Sequence, residues 1–146
     1  MLNMKKLFIL FFSFIMIISC NHKFEDSKDC FDDSFAYFSN NEVNTIEKLN
    51  CEEQRIVKDL INKALKENEF VSNSRNENQY YKQCVVSYNK KGEKIIWVNC
   101  IRKNIGHENE WKKGILEMLD GGDNYFNLKI NIRTKKYYEM YVNGFV

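Results

Sequence analysis

The feature that most constrains this chain is a change of apolar period near residue 70. Up to that point Ile56, Val57, Leu60, Ile61, Ala64 and Leu65 recur as adjacent pairs every four residues, which on a helix of 3.6 residues per turn makes one apolar stripe. Beyond Gln79 the period falls to two, the signature of strands with one buried face. A helix stripe and a sheet face that each need covering are satisfied by packing on one another, so the pattern predicts an α+β fold.

The helix is expected over about Cys51 to Asn68. Asn50 is a fitting N-cap and Glu53, three residues on, completes a capping box. Gln79 to Asn89 and Lys94 to Arg102 are rich in Tyr, Val, Ile and Trp and flank Lys90-Lys91-Gly92-Glu93, which predicts a hairpin with a three-residue turn at 91–93. Residues 103 to 112 read as a loop, and a third strand is expected from about Lys113 to Leu119. Asp120-Gly121-Gly122-Asp123-Asn124 supplies residues that tolerate positive φ for a tight reversal. Tyr125 to Ile132 then alternates, with Phe126, Leu128, Ile130 and Ile132 on one face. The last strand, Lys136 to Asn143, is expected to set Tyr138, Met140 and Val142 against them. The expected architecture is one main helix packed on an antiparallel meander of about five strands.

The first nineteen residues have another grammar. Lys5 and Lys6 precede an apolar run from Leu7 to Ile18 that only Ser13 interrupts, and a small residue, Ser19, stands before Cys20. This is the layout of a secretory signal, and the run is short of the ~20 residues that a membrane-crossing helix needs. Residues 1–19 are read as a cleaved signal peptide, residues 20–41, polar and acidic but dotted with Phe24, Phe31, Phe35 and Phe38, as a tether, and residues 42–146 as a single domain.

Ile17-Ile18-Ser19-Cys20 resembles the lipobox of bacterial lipoproteins, with Ile17 where Leu is commonest. The resemblance implies cleavage before Cys20, a diacylglycerol on its sulfur and usually acylation of the new amino group; two or three acyl chains make a stable anchor where one does not. Asn21 is not the Asp that favours inner-membrane retention in some Gram-negative bacteria, so the outer membrane is preferred. The mature part resembles the cystatin-like and PepSY-like class of small extracytoplasmic domains, in which an antiparallel meander cradles one helix. Asp120-Gly121-Gly122, Tyr125-Phe126-Asn127, Lys135-Lys136-Tyr137-Tyr138 and Val142-Asn143-Gly144 are similar to the ending of small bacterial lipoproteins.

Exported thiols meet an oxidising compartment and tend to pair. Cys84 and Cys100 lie equidistant from Gly92, so a turn at 91–93 would set them face to face, where directly opposed strands allow a disulfide. Cys30 and Cys51 form the remaining candidate pair. The close paired spacing of a zinc site does not occur, and no metal or cofactor is expected.

Lys5 and Lys6 account for the whole formal charge of +2, so the mature part has no basic excess for nucleic acid. Its halves differ, with 8 basic and 13 acidic residues over 20–78 against 12 and 7 over 79–146, which reads as mutual attraction within one fold or as an electropositive sheet face. An enzyme would have to use His107, with Glu108, Glu110 or Asp120, and no nucleophile motif accompanies it. Asp120 and Asp123 lack the further ligands of a calcium loop. Aromatic density in the strands is the remaining signal, with Trp97, Tyr137 and Tyr141 as a candidate binding face. The functional expectation is a membrane-anchored envelope lipoprotein, a non-catalytic binding or inhibitor-like module that binds an envelope protein or another envelope component through its sheet face or strand-end loops. The alternatives are a small extracytoplasmic enzyme around His107 and a purely structural lipoprotein.

Overall fold

The computed structural model describes residues 32–40 and 45–144. The signal region, the lipobox with Cys20, and Cys30 lie outside them.

Helix α1 spans Cys51–Glu67. The Asn50 side chain accepts from the Glu53 amide and the Glu53 carboxylate accepts from the Asn50 amide, each at 3.0 Å, so two backbone donors that the first turn leaves unpaired are satisfied reciprocally. Asn68, in extended conformation, ends the helix, and its side chain accepts from the Phe70 amide at 2.9 Å. The whole predicted stripe is buried.

The stripe packs on one face of a five-stranded sheet made of β1 (Phe35–Phe38), β2 (Tyr80–Tyr88), β3 (Lys94–Arg102), β4 (Tyr125–Asn131) and β5 (Lys136–Val142), in that spatial order. Phe126, Leu128 and Ile130 of β4 and Ile96, Val98 and Cys100 of β3 are fully buried beneath it. At such positions truncation to Ala costs about 2–5 kcal/mol through lost burial and the cavity left behind. The α+β class and the count of five strands are as the sequence indicates, but one expected strand is absent and an unexpected one takes its place.

β1 arises from the segment read as tether, and it runs parallel to β2, while every later pairing is antiparallel. The sheet is therefore mixed rather than a pure meander, and α1 lies in the crossover that a parallel pair requires. The domain accordingly begins before residue 42. Conversely, the expected strand from Lys113 to Leu119 does not form. Its backbone pairs with side-chain amides of the sheet instead of with a neighbouring strand.

The β2–β3 hairpin pairs Cys84 with Val98 and Lys82 with Cys100. The Asn89 amide donates to the Glu93 carbonyl at 3.0 Å, and the Asn89 side chain accepts from the Lys91 and Glu93 amides. These bonds close a three-residue loop at 90–92, one position earlier than expected, with Gly92 supplying the positive φ of 72°. A shift of one in the turn moves the register by two, so Cys84 and Cys100 are diagonal neighbours on one face. Both are free buried thiols, so the structure does not contain the expected Cys84–Cys100 bridge. Cys51, the first residue of α1, is disulfide-bonded.

Beside the thiols, Lys82 is buried without residual exposure. Its ammonium pairs with Glu77, donates to the Ser34 hydroxyl at 3.0 Å and lies 5.3 Å from the centroid of Phe35. A cation taken out of water this completely requires such a set of partners.

Candidate functional site

One face of the sheet is occupied by α1, so the other decides what the surface offers. Strand alternation sends Tyr81, Gln83 and Val85 of β2, Ile95, Trp97, Asn99 and Ile101 of β3, and Tyr125, Asn127 and Lys129 of β4 to that outer face. Among the described residues the face divides into a covered half and an open half.

The covered half lies under residues 103–119. Gln83 donates to the carbonyls of Trp111 and Gly114, both at 2.7 Å, and its own carbonyl accepts from the Leu116 amide at 3.0 Å and from Asn99 at 2.9 Å. Asn99 also donates to the Leu116 carbonyl at 2.8 Å. Trp111 stacks on Tyr81 with ring centroids 4.3 Å apart and is buried with Ala36, Ile101 and Tyr125 in a second small core. A buried amide such as Gln83, with both its nitrogen and its oxygen engaged twice, fixes a loop in one place as firmly as a strand ladder would.

The open half is built around Trp97, which lies between Val85 on one side and Lys129 on the other. Lys129 in turn faces Tyr138, and Asn127 faces Tyr141. Two tyrosines three residues apart share a face because the register shifts between Asn127 and Lys129, where Glu139 takes a positive φ of 52°. A bulge of this kind re-aims side chains and bends an edge strand, and positive φ at a non-glycine residue carries local strain. Tyr141 is 61% exposed and Tyr138 37%, and Glu139 forms an ion pair with Lys129 beside them. That hydrogen bond holds the Lys129 ammonium above its usual range.

The bulge also corrects the expected site. Tyr137, not Tyr138, joins Met140 and Val142 against the main core. Its hydroxyl donates to Glu67 of α1, and that bond, followed by burial, pushes the Tyr137 phenol up to about 12. Tyr137 therefore ties β5 to the helix and does not belong to the open face, whereas Trp97 and Tyr141 do. Tyr138 and Lys129 complete the group. Lys129 takes the outer face by the alternation of β4, but nothing local to Tyr138 signals that its strand changes phase.

The remaining candidates are dispersed. His107 contacts the Tyr125 hydroxyl through Nε2 at 2.9 Å and Glu110 through Nδ1 at 3.4 Å, a tie that joins the 103–119 segment to β4. Glu108 and Asp120 are exposed. Asp123 accepts from Arg75 Nε and Nη2, both at 2.9 Å, and from the Ser72 amide at 3.2 Å. The Arg75 hydrogen bond keeps its carboxyl below the usual range despite burial. Asp120 and Asp123 thus serve different ends and do not converge on a cation position.

No protein-family model, curated protein or solved structure matches this chain.

Proposed function

We propose that this chain is an exported lipoprotein, anchored through lipid on Cys20, that acts as a non-catalytic binding module for a protein of the cell envelope. The anchor rests on Lys5, Lys6, the apolar run and Ile17-Ile18-Ser19-Cys20. The binding role rests on one observation: the strained bulge at Glu139 gathers Tyr138 and Tyr141 next to Lys129 and Trp97 on the half of the sheet that residues 103–119 leave open. Flat amphipathic rings such as these are the residue types enriched where protein surfaces meet, because they bury area with little loss of side-chain entropy.

The test is capture from the native envelope with the detergent-solubilised full chain as bait, beside a Tyr138→Ser/Tyr141→Ser variant of equal thermal stability. A saturable partner retained by the parent and lost with the variant supports the reading. Equal retention by both, or none by either, removes the face as the binding site. Acyl chains are read separately, by mass spectrometry of the peptide beginning at Cys20, and an unmodified amino-terminal region there would overturn the anchor.

A further inference from the structure

Away from the open face, a cavity of about 460 Å³ opens between the 3₁₀ turn Glu77–Gln79 and the end of β3, lined by Asn78, Gln79, Arg102, Lys103, Asn104 and Ile105. Its size is within the range of small-molecule sites. Among the described residues the lining holds two cations, three side-chain amides and one aliphatic group, and no carboxylate.

Both cations are held in place. Arg102 Nη1 donates to Asn124 Oδ1 at 3.0 Å, and Asn124 is itself fixed by donating to the Gly121 carbonyl at 2.9 Å. Lys103 lies over the ring of Tyr81, with its ammonium 5.5 Å from the centroid, and Tyr81 is clamped by Trp111. The backbone is fixed as well, since the Lys103 amide donates to the Gln79 carbonyl at 2.8 Å.

Among the described residues neither cation has a carboxylate partner in an ion pair, whereas the buried and half-buried cations Lys58, Arg75, Lys82 and Lys94 each have one. Asp123 is close enough to feel the Arg102 charge, but its oxygens are taken by Arg75 and the Ser72 amide. A guanidinium has five donors in a planar fork that matches an oxyanion, and Arg102 spends one of them on Asn124.

We propose that the Arg102–Lys103 cavity is a binding site for the carboxylate or phosphate group of a small molecule. Arg102 receives the oxyanion in its fork, Lys103, whose ammonium is held over Tyr81, adds to the positive field around the cavity, the amides of Asn78 and Asn104 supply polar contacts at the rim, and Ile105 flanks the body of the ligand. The site is separate from the open sheet face and does not depend on it.

The experiment is a nuclear magnetic resonance titration of the detergent-solubilised full chain with inorganic phosphate and, separately, with acetate, at constant ionic strength. Saturable shifts of the amides at 78–79 and 102–105, complete within the millimolar range, are expected with one or both ions, and the ion that binds names the group. Arg102→Gln should weaken binding at least about tenfold, since it removes a charge-assisted fork. Lys103→Gln, which leaves the Asn124 bond intact, decides the matter should Arg102→Gln fail to fold. Lys90→Gln/Lys91→Gln in the exposed hairpin turn should change nothing. Shifts that stay linear in ion concentration, spread over all surface lysines, or persist unaltered in Lys103→Gln would overturn the proposal.

Discussion

Asn99 on β3 donates to Gln83 on β2 at 2.9 Å, and this cross-strand amide pair is the fixture on which residues 111–116 hang. Gln83→Leu keeps the volume but strands two carbonyls, the Leu116 amide and one Asn99 N–H, and each such orphan costs about 1–3 kcal/mol where water cannot reach it. A loss of about 3 kcal/mol in urea unfolding is expected, together with faster amide exchange at Leu116. Retained exchange protection there would show that the Trp111–Tyr81 stack holds the segment without the amides.

The Arg75–Asp123 pair sets an acid limit on stability. Asp123 has its carboxyl lowered from 3.8, by the Arg75 hydrogen bond above all. A group whose folded value is depressed contributes fully above its unfolded value, and the contribution fades as pH falls through the folded one. Unfolding free energy should therefore be flat in this term near neutrality and decline below about pH 4. Asp123→Asn should flatten that decline and lower stability at pH 7 by about 1.5–3 kcal/mol, the usual size for charge-assisted bonds. A parallel offset with an unchanged acid slope would show that Asp123 does not carry the effect.

Cys84 and Cys100 should be chemically silent in the folded chain. Burial pushes the Cys84 thiol up to about 12 and raises Cys100 as well, and the thiolate is the reactive form. Iodoacetamide at pH 8 should leave the peptides carrying these two residues unlabelled until denaturant is added. Native labelling of either would mean that the core opens locally at low cost.

Two non-glycine residues in β-rich surroundings take left-handed backbone, Lys135 with φ 51° and Glu139 with φ 52°. Lys135→Gly relieves this conformation in the exposed β4–β5 turn and should stabilise the chain by up to about 1 kcal/mol. Glu139→Gly should gain less, because it also removes the exposed Lys129 pair, worth about 0.2–1 kcal/mol. Melting temperatures of the two variants in one buffer check both the sign and the order.

The elements legible in the sequence are those whose burial pattern is local. The paired stripe of α1 and the alternation of β4 each face one partner, so period alone places them, and the Asn50–Glu53 box fixes where the helix begins. β1 is four residues with both faces touching apolar neighbours, Phe35 in the main core and Ala36 in the second, so it shows no alternation and reads like an adhesive linker. The 113–119 segment is apolar enough for a strand, yet its backbone partners are the side chains of Gln83, Asn99 and, for the carbonyls of Met118 and Asp120, Asn143. Side-chain amides reaching from distant strands leave no periodic trace. The candidate face was half legible for a related reason: Trp97 and Tyr141 follow from alternation, while the exchange of Tyr137 for Tyr138 depends on a bulge that no residue type announces.

The parallel pairing of β1 also bears on the order of assembly. The β2–β3 turn joins neighbours, but Ser34 and Lys82 meet across 48 positions of chain, and closing so long a loop costs entropy that only the finished contacts return. The hairpins should therefore form first, with β1 docking onto a nearly complete sheet. Until then the Lys82 ammonium stays hydrated, and its passage out of water is among the last events on the route. Substitutions in β1 should then act chiefly by hastening unfolding, leaving the refolding rate nearly unchanged.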